Sequence, residues 1–349
     1  MKTEIFKITE LDENTLSLLD KAADVIKRGG LVVFPTETVY GLGGDATNED
    51  SSKKIYAAKG RPSDNPLIIH IDTPEMAEKY AYTNELYYKL AKAFMPGPLT
   101  VVLKAKDTIP PATRGGLATV AVRCPESKIA RELIKKAGIP IAAPSANLSG
   151  SPSPTTAEHV LDDMQGRVDI IIDGGSSDFG LESTIVKIDN ENEITLLRPG
   201  KITKEDLSKI VSQVNVADAV TDKLKEGETA LSPGMKYKHY APKAPVILLD
   251  GDAKAAVDYI NKNGDINIAI IAYDKDFELF KNAFPKAFIY NFGSSENPED
   301  SARVLFSILR DTDKHSFKEI YAPLPKAFGI GLALYNRMIR AAAHKIIRL

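Results

Sequence analysis

The stretch KGRPSDNPLIIH, from Lys59 to His70, joins two kinds of secondary structure and so indicates the fold class. The residues just before it, 50–58, have the pattern of a short helix, whereas PLIIHI at 66–71 is an apolar run typical of a buried strand. Pro62 and Pro66 stiffen the turn between them. A helix that passes through a tight turn into a buried strand is typical of an α/β protein.

The same alternation extends through the first 200 residues. Apolar and β-branched runs predict strands at 31–36, 99–105, 118–124, 139–145, 169–173 and 183–188. Helical patterns lie at 75–94 and at 128–137, where Gly138 follows as an end signal. We therefore expect a strand-rich, mixed α/β domain in this part of the chain.

A change of composition at 221–245 predicts a linker, because charged residues, glycine and proline dominate there. Beyond it, strand patterns at 245–251, 266–273, 287–293 and 319–324 alternate with helical patterns at 253–262, 277–284, 298–311 and 331–345. This order predicts βαβ units and a small parallel sheet. We expect one domain at 1–205 and another at 245–349, joined by a linker at 206–244.

Composition excludes several classes of protein. The net charge is −2, and the first 200 residues carry 23 Lys and Arg against 28 Asp and Glu. This balance argues against a protein that mainly grips nucleic acid. No apolar run reaches the roughly 18–20 residues that span a bilayer. The first residues lack the apolar core of an export signal, and the chain has one cysteine, so a cytoplasmic location is expected.

Five polar clusters lie where a loop meets a predicted strand end, a common place for a site. They are PTETVYGLGGD at 35–45, KGRPSDN at 59–65, ATRGGLATVAVRCP at 112–125, APSANLSGSPSPTT at 143–156, and LESTIV with LLRPG at 181–186 and 196–200. The glycines of the first cluster suit a close backbone approach to a ligand or a positive φ. Taken alone, these glycines favour an ordinary strand-to-helix turn over a ligand site.

Individual residues in these clusters point to phosphate chemistry. Lys59 offers a point charge, Arg61 a bidentate fork, and Asn65 both a donor and an acceptor. The alternatives are a solvated loop for these residues and a satisfied core histidine for His70. Arg123 ends an apolar strand, so it needs a carboxylate partner from the protein or from a ligand.

Missing motifs narrow the chemistry further. The sequence contains no GxxxxGK[ST] phosphate loop, no serine nucleophile elbow and no HExxH zinc motif. Cations, hydroxyls and amides remain, and these groups suit phosphoryl or nucleotidyl transfer, in which positioning and charge stabilisation provide most of the catalysis.

Taken together, the motifs resemble one family. PTETVYGL, KGRPSDNPL, PGPLT, TVAVRCP, PSANLSG and ESTIV with RPG occur in one order over residues 20–200, which is the pattern of the threonylcarbamoyl-AMP synthases. PGMKYKHYAP, followed by an α/β pattern, resembles the two-domain branch of that family. The resemblance implies a twisted, open, mixed-sheet catalytic domain and a smaller Rossmann-like parallel α/β domain after it.

The resemblance also implies a reaction. L-Threonine and bicarbonate or CO2 would form N-carboxythreonine, whose carboxylate attacks the α-phosphorus of ATP. Pyrophosphate leaves and threonylcarbamoyl-AMP forms. The product would pass to a separate transferase that makes the t6A modification of tRNA, and Mg²⁺ is expected on the ATP phosphates.

Matching positions in the motifs assign site residues by resemblance. Lys59, Arg61 and His70 are expected in catalysis. L-Threonine is expected to contact Thr38, His70, Arg123, Ser183 and the backbone of Ala143. ATP is expected to contact Arg61, Asn65, Thr119, Ser145, Ser153, Arg198 and Tyr237. Because Tyr237 lies in the linker, we expect residues 206–244 to act as a lid that excludes water from a labile carbamate.

Several alternatives stay open at this point. Glu37, His70 or water could accept the proton of threonine. An RNA-binding module would use the concave face, but the acidic balance of the first 200 residues argues against it. A carbamoyl-transfer enzyme similar to hydrogenase-maturation proteins would need cysteine clusters that this chain lacks. The sequence also leaves open whether the chain forms a homodimer or binds tRNA directly.

Overall fold

A computed structural model describes residues 2–222 and 240–349. These residues form two compact units. The first holds residues 2–149 and 153–222, and the second holds residues 150–152 and 240–349. Each unit combines helices with one sheet, so the predicted α/β fold class is confirmed.

The first unit contains twelve described strands and six described α-helices. The strands are β1 (Glu4–Lys7), β2 (Val32–Phe34), β3 (Gly41–Asp45), β4 (Ile68–His70), β5 (Ala81–Tyr82), β6 (Leu99–Ala105), β7 (Thr119–Arg123), β8 (Ile141–Ala142), β9 (Ile170–Asp173), β10 (Thr184–Asn190), β11 (Glu193–Arg198) and β12 (Gln213–Val216). The helices are α1 (Glu13–Lys27), α2 (Glu49–Lys59), α3 (Glu85–Phe94), α4 (Lys128–Ala137), α5 (Ala157–Met164) and α6 (Lys204–Leu207).

All twelve strands belong to one sheet with parallel and antiparallel pairs. Its order is β1-β9-β2-β3-β8-β4-β7-β6-β10-β11-β12, and β5 pairs with β6 beside this path. The parallel pairs include β4 with β7 and β6 with β10, whereas β6 and β7 are antiparallel. The expected mixed sheet is therefore present.

One apolar core of this unit lies between α1, α4 and the strands beside them. Leu19 and Ile26 of α1 are fully buried in one apolar cluster with Leu133 of α4 and with side chains of β1, β2 and β9. Burying a side chain of this size is worth about 1.5–3 kcal/mol. Asp12 caps α1 by accepting a hydrogen bond from the Thr15 N–H at 2.8 Å, which adds about 1 kcal/mol.

The glycine-rich stretch GLGGD is a strand, so its interpretation as a turn is wrong. It forms β3, which pairs antiparallel with β2 and with β8. Gly43 has no positive φ, but a Cβ atom there would lie 2.7 Å from a ring carbon of Phe34 and 2.8 Å from Cγ2 of Ile141. Position 43 therefore needs glycine, because any side chain there would collide with Phe34 and Ile141. This close packing explains why a residue that normally weakens strands occupies a central strand.

Two predicted helices are also wrong in part. The predicted helix at 75–94 is instead a 3₁₀-helix at Pro74–Lys79, followed by β5 and then by α3. Asn84 caps the start of α3 by accepting a hydrogen bond from the Tyr87 N–H at 2.8 Å. The last predicted helix ends early, because positive φ values of 48° at Ala343 and 64° at His344 turn the chain into a further strand.

The second unit is a parallel α/β sheet, as predicted. Its strands are β13 (Val246–Asp250), β14 (Ile268–Ala272), β15 (Phe288–Asn291), β16 (Glu319–Pro323) and β17 (Ile346–Arg348), in the order β15-β14-β16-β13-β17. Its helices are α7 (Ala253–Asn263), α8 (Phe277–Ala283), α9 (Pro298–Thr312) and α10 (Ile330–Ala341). Every strand pair is parallel, which explains why the strands read as continuous apolar runs.

The cysteine of the chain is part of the core. Cys124 follows β7, is fully buried, and its thiol donates to the Asp72 carbonyl at 3.3 Å. Burial raises the pKa of this thiol to about 12. Across residues 2–222 and 240–349, no helix combines the length and apolar character that crossing a membrane requires.

Candidate active site

Five neighbouring strands of the first unit align side chains in one row. Strand pairing sets His70 of β4 beside Arg123 of β7, and Arg123 beside Thr100 of β6. Thr100 is in turn level with Ile185 of β10, which is level with Arg198 of β11. Directly paired residues point to the same face, so the row runs roughly 19 Å across the sheet at about 4.8 Å per strand.

Ser183 connects the middle of this row to its end. Its hydroxyl lies 2.7 Å from that of Thr100 and accepts a hydrogen bond from Arg198 Nη2 at 3.0 Å. Arg198 Nε also donates to the Ser183 carbonyl at 2.9 Å. These three side chains are buried, so the guanidinium of Arg198 is held in one orientation by two bonds to a single residue.

Arg123 has the carboxylate partner that a buried strand arginine needs. Its Nη2 lies 2.7 Å from Oε1 of Glu37, and the two side chains are only 5% and 7% exposed. Glu37 comes from the turn between β2 and β3, where the hydroxyls of Thr36 and Thr38 lie 2.8 Å apart. The turn therefore brings Glu37 to the Arg123 position of the row.

Unused polar atoms make this part of the row a candidate ligand site. Glu37 Oε2, Arg123 Nε and His70 Nδ1 are buried and have no hydrogen-bond partner among the described residues. Native proteins leave few buried polar atoms unpaired, because each costs about 1–3 kcal/mol. Three such atoms on adjacent residues indicate that a polar ligand completes their hydrogen bonds.

His70 is held neutral by its surroundings. Its ring stands edge-on to Phe34 with centroids 6.1 Å apart, and the side chain is buried. Burial, followed by the charge of neighbouring Arg123, lowers the pKa of His70 to about 3. The imidazole therefore offers hydrogen bonds and no charge near neutral pH.

Lys59 holds the loop that contains Ser145. Its buried ammonium donates to the carbonyl oxygens of Ser145 and Asn147, the latter at 2.7 Å. The Ser145 hydroxyl donates to Asn147 Oδ1 at 2.5 Å. Lys59, expected on the phosphates, thus has a structural contact with the loop that carries another predicted ATP residue.

Arg61 and Asn65 lie together in the turn before β4. Arg61 Nη2 donates to the carbonyls of Asn65 at 3.2 Å and of Pro66 at 3.0 Å. Asn65 is buried, and its Oδ1 has no hydrogen-bond partner among the described residues. The turn therefore presents a buried cation beside an unused amide oxygen.

The other predicted residues occupy varied positions. The Ser153 hydroxyl donates to Glu182 Oε1 at 2.5 Å. The Ala143 N–H already donates to the Ile68 carbonyl at 2.9 Å, so a backbone contact from Ala143 to a ligand would use its carbonyl. Thr119 begins β7 and Arg123 ends it, which separates them by about 13 Å. Tyr237 lies outside the described residues.

Sequence reasoning missed two polar residues of this region. Thr100 and Glu182 lie within the motifs PGPLT and LESTIV but were not selected, although both are buried and bonded to predicted site residues. A hydroxyl or carboxylate inside an apolar run was the available signal, because buried polar groups require partners.

The second unit contains a cavity, but the described residues that line it lack the unpaired buried polar atoms found in the row of the first unit. A cavity of about 580 Å³ lies at the carboxyl ends of its parallel strands, lined by residues such as Ala272, Ser294 and Ala322. Among the described residues, none of the buried polar atoms that lack a hydrogen-bond partner lines this cavity. The described residues also contain no group of three His, Cys, Asp or Glu that could hold a metal ion. The row of the first unit is therefore the candidate active site.

Comparisons with known proteins match both units. The family model described as "Telomere recombination" matches residues 24–200, and the one described as "Threonylcarbamoyl-AMP synthase, C-terminal domain" matches residues 202–343. The threonylcarbamoyl-AMP synthase of Bacillus subtilis is 39% identical over 100% of both chains, and that of Pyrococcus abyssi is 42% identical over 94% of each. A crystal structure of P. abyssi Sua5 complexed with L-threonine has a TM-score of 0.89 at 40% identity, covering 99% of this chain and 100% of that one.

Proposed function

The chain belongs to the threonylcarbamoyl-AMP synthase family, and from this premise we propose that it makes threonylcarbamoyl-AMP and pyrophosphate from L-threonine, bicarbonate or CO2, and ATP. The observation that carries the assignment of the site is the row from His70 to Arg198. It brings buried cations, a neutral imidazole and hydroxyls to one face, in a row long enough for an amino acid joined to a nucleotide.

L-Threonine is proposed to bind at the His70 end of this row. The buried, unused atoms of Glu37, His70 and Arg123 support this placement, because an amino acid carries the donors and acceptors that they lack. Thr38 lies on the same turn as Glu37, and Ser183 is bonded to Thr100 within the row. The backbone carbonyl of Ala143 completes the proposed set.

ATP is proposed to bind around Arg61, Asn65 and Arg198, with Ser145, Ser153 and Thr119 as further contacts. Buried guanidinium groups support this proposal, because charge builds on the pyrophosphate as it leaves and arginine forks match phosphate oxygens. Mg²⁺ enters as part of the MgATP substrate, whose phosphates supply most of its ligands.

The low pKa of His70 narrows the choice of proton acceptor. An imidazole whose pKa is about 3 is a far weaker base than the amine of threonine, so His70 is a poor acceptor for its proton. Glu37 and water remain. We propose that His70 instead orients threonine through hydrogen bonds of its neutral ring.

The product is proposed to pass, in the cytoplasm, to a separate transferase that makes the t6A modification of tRNA. The sequence predicted a linker from residue 206, but β12 (Gln213–Val216) pairs with β11 in the sheet of the first unit, so the catalytic domain extends beyond 205. The part of 206–244 that follows β12 is proposed as the linker and lid that leads to the C-terminal domain at 245–349. The alternatives of an RNA-binding module and of a carbamoyl-transfer enzyme are not favoured, because the full-length relatives carry the synthase name.

The test is product formation from ATP, radiolabelled bicarbonate, L-threonine and Mg²⁺, with threonine omitted in parallel. We expect threonine-dependent label in an adenylate and an equal amount of pyrophosphate. Arg61→Ala should lower kcat/KM for ATP by about 10- to 150-fold, the value of a charged hydrogen bond of about 1.5–3 kcal/mol. Arg28→Ala, at an exposed helix end, is the matched control. Pyrophosphate release without threonine would contradict the proposed acceptor.

A further inference from the structure

The buried ion pair of Glu37 and Arg123 leaves one polar atom of each side chain without a hydrogen bond among the described residues. One oxygen of Glu37 and one nitrogen of Arg123 form the ion pair at 2.7 Å. The remaining carboxylate oxygen, Oε2, and the guanidinium Nε are buried and have no hydrogen-bond partner among the described residues. An acceptor and a donor, carrying opposite charges, therefore stay unsatisfied on two side chains that are already joined.

A zwitterion has the complementary pattern. Its ammonium donates and its carboxylate accepts, and the two groups are separated by a single carbon atom. If its ammonium faced the Glu37 carboxylate and its carboxylate faced the Arg123 guanidinium, it would satisfy both unused atoms and form a closed ring of alternating charges. Neither a hydroxy acid nor an amino ester can do this, because each lacks one of the two charges.

We propose that Glu37 is a substrate-binding residue whose Oε2 accepts the α-amino group of the amino acid, while Arg123 binds its α-carboxylate. The inference rests on the proposed function and adds to it a residue and a basis for substrate selection. Glu37 and Arg123 select a free α-amino acid regardless of its side chain, and the remaining residues of the site select threonine.

The contact with Glu37 suits product as well as substrate. The ammonium of threonine carries three N–H groups, and the nitrogen of N-carboxythreonine and of threonylcarbamoyl-AMP keeps one. A carboxylate that accepts from this nitrogen therefore loses no partner on going from substrate to product. Oε2 of Glu37 is placed to hold the nitrogen throughout, since Oε1 is fixed by Arg123.

The experiment measures the affinity of the full-length protein for three ligands by calorimetry. They are L-threonine, (R)-3-hydroxybutanoate, which lacks only the amino group, and L-threonine methyl ester, which lacks only the carboxylate charge. The wild type should bind each analogue about 10- to 150-fold more weakly than L-threonine. Glu37→Gln should reduce the preference for threonine over 3-hydroxybutanoate to within about threefold and keep the preference over the ester.

Controls separate this contact from general damage. Glu158→Gln changes an exposed carboxylate of α5 and should preserve both preferences. If the Glu37→Gln variant keeps the full preference for L-threonine over 3-hydroxybutanoate, the proposed contact is overturned and the proposed function is not. Equal affinity of the wild type for threonine and 3-hydroxybutanoate would overturn it even if the variant fails to fold. A wild type that binds no L-threonine would overturn the proposed function together with this contact.

Discussion

His70 makes the stability of the protein depend on pH. The native side chain has a pKa of about 3, against 6.5 for an exposed histidine. Between these values the unfolded chain binds a proton that the native chain does not. The histidine therefore lowers the unfolding free energy as the pH falls below 6.5, by about 1.4 kcal/mol per pH unit.

Replacing this histidine should remove that dependence. We expect His70→Gln to show a shallower loss of unfolding free energy than the wild type between pH 6.5 and pH 4.5. Urea unfolding at several pH values measures both slopes, and any constant loss of stability in the variant does not affect the comparison. Parallel slopes would mean that the native imidazole is protonated in the same range as the unfolded one.

The sequence predicted single residues better than their partners. It indicated that Arg123 needs a carboxylate, since an arginine at the end of an apolar strand is costly alone. It could not identify Glu37, which lies 86 positions away and reaches Arg123 only because β2 and β7 belong to one folded sheet. The same limit applies to Lys59, whose bonds to the Ser145 loop span 86 positions.

At the scale of elements, β3 shows why glycine misleads. Strands are poor in glycine, so GLGGD reads as a turn from local propensity. The structure uses the missing side chains to pack β3 against Phe34 and Ile141, and only the tertiary neighbours make this possible. By contrast, Asn84 was a local signal for the start of α3 that the helical periodicity of 75–94 concealed.

Adding one methyl group should test this packing. In Gly43→Ala the new Cβ would meet Phe34 and Ile141 at 2.7 and 2.8 Å, so the strands must shift. We expect a loss of about 1–3 kcal/mol in unfolding free energy by urea titration. Gly44→Ala is the matched control with a smaller expected loss, because its nearest neighbours, at 3.2 Å, are the flexible ends of Ile55 and Leu31. Equal losses would show that β3 gains nothing from glycine at position 43.

At the scale of the molecule, the family resemblance anticipated the architecture more completely than local patterns did. Alternating strands and helices indicated an α/β protein and the parallel sheet of the second unit. The strand order of the first unit could not be predicted from the sequence, because β9 lies between β1 and β2 although it is more than 130 positions from either. Such pairings depend on which apolar faces meet in space, and a sequence read along the chain contains no direct record of them.

The burial of Cys124 has a practical consequence for labelling. Because this thiol is enclosed and its pKa is about 12, the folded native chain should not react with thiol reagents, and unfolding should expose one equivalent. Titration with a chromogenic disulfide, with and without urea, measures this. Fluorescent dyes could then be attached at Glu158→Cys and Asp258→Cys, one on each unit, without removing a native cysteine. The distance between the two units would become an optical signal that can be followed as each substrate is added.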